Sequence, residues 1–392
     1  MAMRKLISLA GSIAVIGANS LALSPIAGTV AHSFAGADAP DVMNAAVIYG
    51  LATAASALLL APTIDRVGHR AALIRSLLVL TAGLVLSAFA PNLVVFCLAQ
   101  ALAGLAAGCA LPAIYALSAL VAEKGRESET LGWVLTGWTV SLVLGVSLSA
   151  IIADFIHWRL VFALLAVAAG GLVAKAGRSR DLAFPLPSSA LSLRANSPLT
   201  ALRVPGIAPA LLTVATYMTA FYGLYAYLGP HLTGPLQLST TMAGLAPAAY
   251  GLGFGVAAFA DRLLDRYGSA ATAPVAFMGL GLVYFALAAA SDHAAILIIL
   301  CLVWGVANHI GLNLIVGWLT ALDGQLRGAI LGLYSAVTYL AVSAGAFFYR
   351  PLFGQFGFTG CALASACCIA PALALSLQRR SGFPSLVRGN GG

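Results

Sequence analysis

The chain has 392 residues, of which 61% are apolar and 8% charged, where a soluble domain carries about 25% charged residues. Water is thereby excluded as the solvent for most of the surface, and lipid is left. The net charge of +8 would suggest nucleic acid in a soluble chain, but here the placement of cations relative to a membrane accounts for it, and no nucleic-acid partner is expected.

In lipid every backbone amide must pair internally, which restricts spanning structures to helices and closed barrels. The apolar runs are about 20 residues long and lack the strict alternation of barrel strands, so helices are expected. Breaking the runs at charges and turn residues predicts twelve spans. The first six cover about 6–30, 42–62, 72–90, 94–121, 131–153 and 159–175. The second six cover about 206–230, 242–260, 271–290, 294–320, 329–349 and 359–377. Arg4 and Lys5 before the first run also fit a cleaved signal peptide. The run is longer than a signal core, and an even count of spans needs it, so it is taken as span 1. The six cysteines all fall in apolar runs without metal-like spacing and are read as small core residues.

Residues 176–204 hold Lys175 at their edge, Arg178, Arg180, Arg194, Arg203 and three prolines, the composition of a linker. The expected organisation is therefore a six-helix bundle over 1–175, a cytoplasmic linker over 176–204, a second bundle over 205–378 and a tail over 379–392. With the N-terminus in the cytoplasm, eighteen of the 20 Lys and Arg residues fall on the inner side and only Arg159 and Arg350 outside. Both termini are expected to be cytoplasmic, in a cell inner membrane.

The halves repeat. Asp65-Arg66-Val67-Gly68 recurs as Asp265-Arg266-Tyr267-Gly268 at an offset of 200, which also relates Glu123 to Asp323 and Gly145 to Gly345. In a chain this poor in charge, a repeated Asp-Arg-x-Gly signals duplication. Secondary transporters are commonly built from such repeats, with the binding site where they meet near the midplane.

These residues resemble the major facilitator superfamily. The segment from Ala61 to Arg70 is similar to its cytoplasmic Gly-…-Asp-Arg-x-Gly-Arg-Arg motif, with Ala61 at the leading glycine and His69 at the first paired cation. His157-Trp158-Arg159-Leu160-Val161-Phe162, Tyr227-Leu228-Gly229-Pro230, Gly145 to Ser149 and Gln100 to Gly108 resemble elements of the drug/proton antiporter and sugar-efflux branch. Ser147 replaces a proline, Ser149 a glycine and Gln100 an arginine of those elements. The resemblance implies an all-α membrane protein of twelve transmembrane helices in two pseudo-symmetric bundles. It also implies a gating latch formed by Asp65, Arg66, Gly68 and Arg70, meeting acids such as Glu123, with a second copy at Asp265, Arg266 and Gly268. A topogenic charged loop is the plainer reading of the same residues.

No Asp or Glu falls mid-span. Where antiporters of the resembled branch keep an acid in span 1, the polar residue is Asn19. His309 and Asn313 share one face of span 10, four residues apart, beside Asn308. An imidazole changes charge near neutral pH, so His309 is a proton-coupling candidate; a neutral histidine bonded between helices is the alternative. Asp41 is the second candidate, although capping the start of span 2 explains it more simply.

Tyr217, Phe221 and Tyr225 recur every four residues in span 7 with Tyr222 adjacent, a face suited either to an amphipathic ligand or to helix packing. Trp138 and Tyr334 complete the candidate substrate-binding set of Asn19, Gln100, Trp138, Tyr217, Phe221, Tyr222, Tyr225, Asn308, His309, Asn313 and Tyr334. Gly104/Gly108 and Gly251/Gly255 have the spacing of close helix packing.

The chain lacks a His-Glu-x-x-His, a Gly-x-Ser-x-Gly and paired carboxylates within a span, so no enzyme, cofactor or metal is expected. The expected partners are a small-molecule substrate, the lipid bilayer and protons as a candidate co-substrate, for a monomer. The leading expectation is an exporter of a small organic compound. Uptake or facilitated diffusion of a neutral metabolite, and a non-transporting receptor, are the alternatives.

Overall fold

The computed structural model describes residues 2–60, 67–123, 127–178, 198–257 and 269–381. Within them every regular element is helical. Span 1 comprises Ala2–Leu21 and Leu23–Ala31, bent by 48° at their junction. Pro25 causes the bend, because its ring nitrogen cannot bond the carbonyl four residues back, that of Leu21. Span 2 runs through Ala39–Val42 and Asn44–Leu59, and spans 3 and 4 through His69–Ala88 and Leu93–Val121. Span 5 combines Glu127–Val140, a π-helical turn at Ser141–Val146, and Ser147–Phe155. Span 6 is Trp158–Arg178, and a 3₁₀ turn at Pro198–Arg203 leads into the second half.

There, span 7 is Ile207–Thr233, span 8 Thr240–Ala243 with Leu245–Ala257, span 9 Ser269–Ala289 and span 10 Ala294–Thr320. Arg327–Cys368 and Ala370–Ser381 hold spans 11 and 12.

Among the described residues nine helices are long and apolar enough to cross a membrane, ten when the bent first span is included. One of them, Ala329–Arg379, has 51 residues, about 76 Å of helix against a hydrocarbon layer of about 30 Å. It therefore crosses twice. The turn is at Gly357, whose φ of 63° and ψ of −160° interrupt the helix. The loop expected at 350–358 is thus helical almost to that glycine. Span 8 is described over thirteen residues from Leu245 to Ala257, where the described residues end.

The duplication is visible in contacts as well as in sequence. Spans 2 and 4 approach so closely that a Cβ on Gly104 would lie 2.3 Å from the Tyr49 carbonyl oxygen. Spans 8 and 10 repeat this: a Cβ on Gly305 would lie 2.1 Å from the Tyr250 carbonyl. Both pairs are related by 201 residues. Without a hydrophobic drive between helices in lipid, such glycine contacts carry much of the packing.

Candidate transport path

The two bundles meet along spans 1, 2 and 5 on one side and spans 7, 8 and 11 on the other. Among the described residues eight hydrogen bonds cross between them, at the end where Leu21–Ala31 of span 1 meets span 7. The break in span 1 is one docking point. Tyr225 Oη donates to the Leu21 carbonyl freed by Pro25, at 3.1 Å. One turn on, Ser24 Oγ donates to the Tyr225 carbonyl at 2.5 Å and accepts from the Gly229 amide at 3.1 Å. A side chain at Gly229 could not fit, since its Cβ would lie 2.0 Å from the Ser24 carbonyl oxygen.

Spans 2 and 11 form a second clasp, in which Ser343 Oγ donates to the Val47 carbonyl at 2.7 Å while Gly50 lies flat against Tyr339 and Ser343. At its outer edge Arg350 donates to Asp41 Oδ1 at 2.5 Å, an ion pair left 41% and 28% exposed on its two sides. Asp41 also closes a capping box with Asp38 at the head of span 2, so capping and pairing share one carboxylate. Thr29–Thr240, Asp154 accepting from the Thr241 amide, and Ser147 donating to the Gly244 carbonyl complete the seal.

Beneath it is a narrow cleft lined by residues of spans 1, 2, 7 and 11, including Ser20, Ala46, Tyr222 and Tyr225, with about 20 Å³ of free space, room for one water. Farther toward the termini, aromatic hydroxyls from both bundles face one another. Tyr222 lies within electrostatic reach of Tyr49 and Tyr115 of the opposite bundle, and Tyr334 of Tyr222 and Tyr115. Tyr49 and Tyr339 meet edge to face at 6.4 Å. Trp138 on span 5 sits beside the Tyr115 hydroxyl on span 4. Of the candidates named from the sequence, Trp138, Tyr222 and Tyr334 are therefore brought together between the bundles, while Tyr225 belongs to the seal.

Other candidates turn elsewhere. Asn19 and Gln100 are buried within the first bundle and exchange amide hydrogen bonds at 3.0 and 3.3 Å, and Gln100 Nε2 also donates to Ser87 Oγ at 3.0 Å. Tyr217 donates to the Asn308 carbonyl at 2.6 Å inside the second bundle. Phe221 stacks on Tyr250 at 5.2 Å and packs against Trp304 at 5.4 Å there. Their spacing correctly places them on one face of span 7, but that face packs into its own bundle. Asn308 Nδ2 donates to Tyr250 Oη at 2.6 Å. His309 lies against the Phe254 ring at 4.7 Å, with Nε2 3.0 Å from Asn313 Nδ2.

Of the expected latch, Asp65, Arg66, Asp265, Arg266 and Gly268 lie outside the described residues. Gly68 precedes span 3 with φ of 87°, a left-handed conformation that explains the glycine in the motif. Arg70 donates to the Ala176 and Gly177 carbonyls at 2.8 and 3.3 Å, a cation at the C-terminal end of span 6 where the helix dipole favours it. Glu123 is exposed at the end of span 4. Among the described residues no three His, Cys, Asp or Glu side chains gather as a metal site would require.

The sequence reading missed Tyr49, Ser24, Ser343, Tyr339 and the pairing of Arg350. Only Tyr49 had a signal, its recurrence as Tyr250.

Comparison with known proteins agrees with this architecture. A family model described as Major Facilitator Superfamily matches residues 8–346. The uncharacterized MFS-type transporter YwfA of Bacillus subtilis (strain 168) is 27% identical over 92% of this chain and 89% of its own. A probable sugar efflux transporter of Pasteurella multocida (strain Pm70) is 26% identical over 63% of this chain and 60% of its own. The inner membrane transport protein YdhP of Escherichia coli (strain K12) is 26% identical over 56% of this chain and 55% of its own. Among solved structures, a D-xylose-proton symporter superposes with a TM-score of 0.81 over 98% of both chains at 14% identity, a likeness of fold. With two repeated bundles sealed at one end and a family match spanning most of its length, this chain belongs to the Major Facilitator Superfamily and is a membrane transporter, not an enzyme.

Proposed function

We propose that this protein exports an uncharged small organic compound across the cytoplasmic membrane by alternating access. The observation that carries the reading is the one-sided seal. With both termini cytoplasmic, as the distribution of cations supports, the eight hydrogen bonds close the external face and leave the aromatic cluster as the substrate's position on the cytoplasmic side. The cluster holds Tyr115, Tyr222, Tyr334 and Trp138, groups that bind neutral solutes through ring stacking and hydroxyl bonds. The similarity to a probable sugar efflux transporter supports the outward direction.

The Asn19–Gln100 pair favours a second reading, facilitated diffusion without protons, because two neutral amides occupy a buried polar position in the first bundle. Counterflow in proteoliposomes separates the two. Flux of a neutral solute that accelerates under an imposed pH gradient supports coupled export. Equal rates with and without the gradient leave facilitated diffusion, and absence of flux for any solute that binds overturns transport.

A further inference from the structure

We propose that Asp154 is the positioning residue of the outer gate between spans 5 and 8: a helix cap that the first bundle supplies to the second, made when the outer face closes and given up when it opens. This rests on the alternating-access reading above for the motion, and on three observations for the residue.

The first is the contact. The Thr241 amide donates to Asp154 Oδ2 at 3.0 Å, across the interface between the bundles. The Thr240 amide and the Ser239 hydroxyl lie within reach of the same carboxylate. The first amides of a helix have no partner inside it and need acceptors from elsewhere. At the head of span 8, Ser239 Oγ serves the Met242 amide at 3.2 Å, and Asp154 serves the amide before it.

The second is the duplication. Asp38 and Ser239 are the N-caps of spans 2 and 8 and lie 201 residues apart, the offset that relates the glycine contacts of the two bundles. Span 2 completes its own head. Asp38 and Asp41 exchange two hydrogen bonds in a capping box, and Pro40 has no amide to satisfy. The equivalent positions in span 8 are Thr241 and Met242. Thr241 brings back the amide that the proline lacks, and Met242 has no carboxylate to close a box. The acid that span 2 carries in its own first turn reaches span 8 from span 5. The head of span 8 is therefore complete only while the bundles touch at this end. Arg350 of span 11 meets Asp41 in the related place, but there the capping box stays whole if the pair separates.

The third is the interface beneath. Ser147 donates to the Gly244 carbonyl, and a Cβ on Gly244, Gly251 or Gly255 would lie 2.6 Å from Ala150 Cβ, 2.7 Å from Leu142 Cβ or 2.9 Å from Thr139 Cγ2. These contacts are uncharged and depend on close approach. Asp154 stands at the rim of this row and is exposed, so water replaces it as the acceptor for Thr241 once the bundles part. A cap that water can replace holds the gate closed without locking it.

The test uses the full-length chain with its six cysteines replaced. Leu142→Cys, at a position 5% exposed and packed against Gly251, reports opening between spans 5 and 8. Labelling by a membrane-impermeant maleimide is followed in right-side-out and inside-out membrane vesicles. Asp154→Ala removes the acceptor. Thr241→Pro removes the donor and gives span 8 the residue that span 2 has there. Each is expected to speed labelling about fivefold in right-side-out vesicles, the loss of one helix cap. The two combined should do no more than either, since both remove the same bond. Asp154→Asn keeps an acceptor oxygen and should label at a rate nearer the parent's than that of Asp154→Ala. Parental rates for Asp154→Ala and Thr241→Pro in both kinds of vesicle overturn the assignment. So do effects that multiply in the double variant, or Asp154→Asn labelling as fast as Asp154→Ala. An increase confined to inside-out vesicles keeps Asp154 as the gate's cap but puts the sealed end in the cytoplasm, which overturns the orientation on which export rests.

Discussion

Asn19 and Gln100, 81 residues apart, exchange amide hydrogen bonds in the interior of the first bundle, and Gln100 reaches Ser87 as well. Spans 1, 3 and 4 are thereby joined by uncharged groups alone. A buried network of this kind is stabilising only while every member is satisfied. Gln100→Leu strands the Asn19 amide and should lower thermal stability in detergent by about 1–3 kcal/mol. Asn19→Leu should cost a similar amount. The double variant should cost clearly less than the two added together, since it leaves no amide behind. Additive costs would show that the two amides do not depend on one another.

The clasp at Ser24 predicts a different class of effect. Gly229→Ala puts a methyl group into the Ser24 carbonyl, and backbone on both sides leaves nothing flexible to yield. The variant should be unable to close its outer face. The reporter is Ala46→Cys in a cysteine-free background, because Ala46 lines the cleft under the seal and is 7% exposed. A membrane-impermeant maleimide added from outside should label it faster in Gly229→Ala than in the parent. Gly279→Ala, whose Cβ would meet nothing within 4 Å, serves as the control and should label at the parental rate.

The Asp41–Arg350 pair is a weaker fastening than its short contact suggests. Both side chains are partly exposed, and exposed pairs are worth roughly 0.2–1 kcal/mol. Asp41→Asn and Arg350→Gln should each raise labelling of Ala46→Cys by no more than a few-fold, and the pair combined should add little beyond either. High salt should produce much of the same increase in the parent by screening. An increase as large as that of Gly229→Ala would place the pair at the centre of the gate.

Much of this architecture was legible in the chain. Apolar runs of membrane length and the repeated Asp-Arg-x-Gly are local signals, and the family they indicate is the one found. Pro25 bends span 1 for a local reason as well, because removal of one amide hydrogen frees one carbonyl wherever the helix lies. What the sequence could not supply was the destination of a face. Tyr217, Phe221 and Tyr225 do share one, but two of them pack into their own bundle and the third crosses to Leu21. Periodicity defines which residues stand together; the neighbour they meet depends on contacts two hundred residues away. The Asn19–Gln100 pair was hidden for the same reason. Gly357 was hidden for another, since Pro351 and the residues after it continue a helix where a loop would ordinarily follow.

His309 offers the remaining route to proton coupling, and its geometry sets the terms of the test. As its amide is oriented, Asn313 Nδ2 donates to His309 Nε2 at 3.0 Å, which requires Nε2 to be without a proton. Protonation there breaks that bond or turns the amide over, next to the Phe254 ring that flanks the imidazole at 4.7 Å. A change of charge at His309 therefore rearranges span 10 locally, which is what coupling to a transport cycle needs. If it does so, flux of a neutral solute should depend on pH in the parent, and His309→Gln should flatten that profile while sparing the KM. A profile that is identical in parent and His309→Gln makes the imidazole a packing element of the second bundle, leaving facilitated diffusion as the mechanism that the uncharged interior supports.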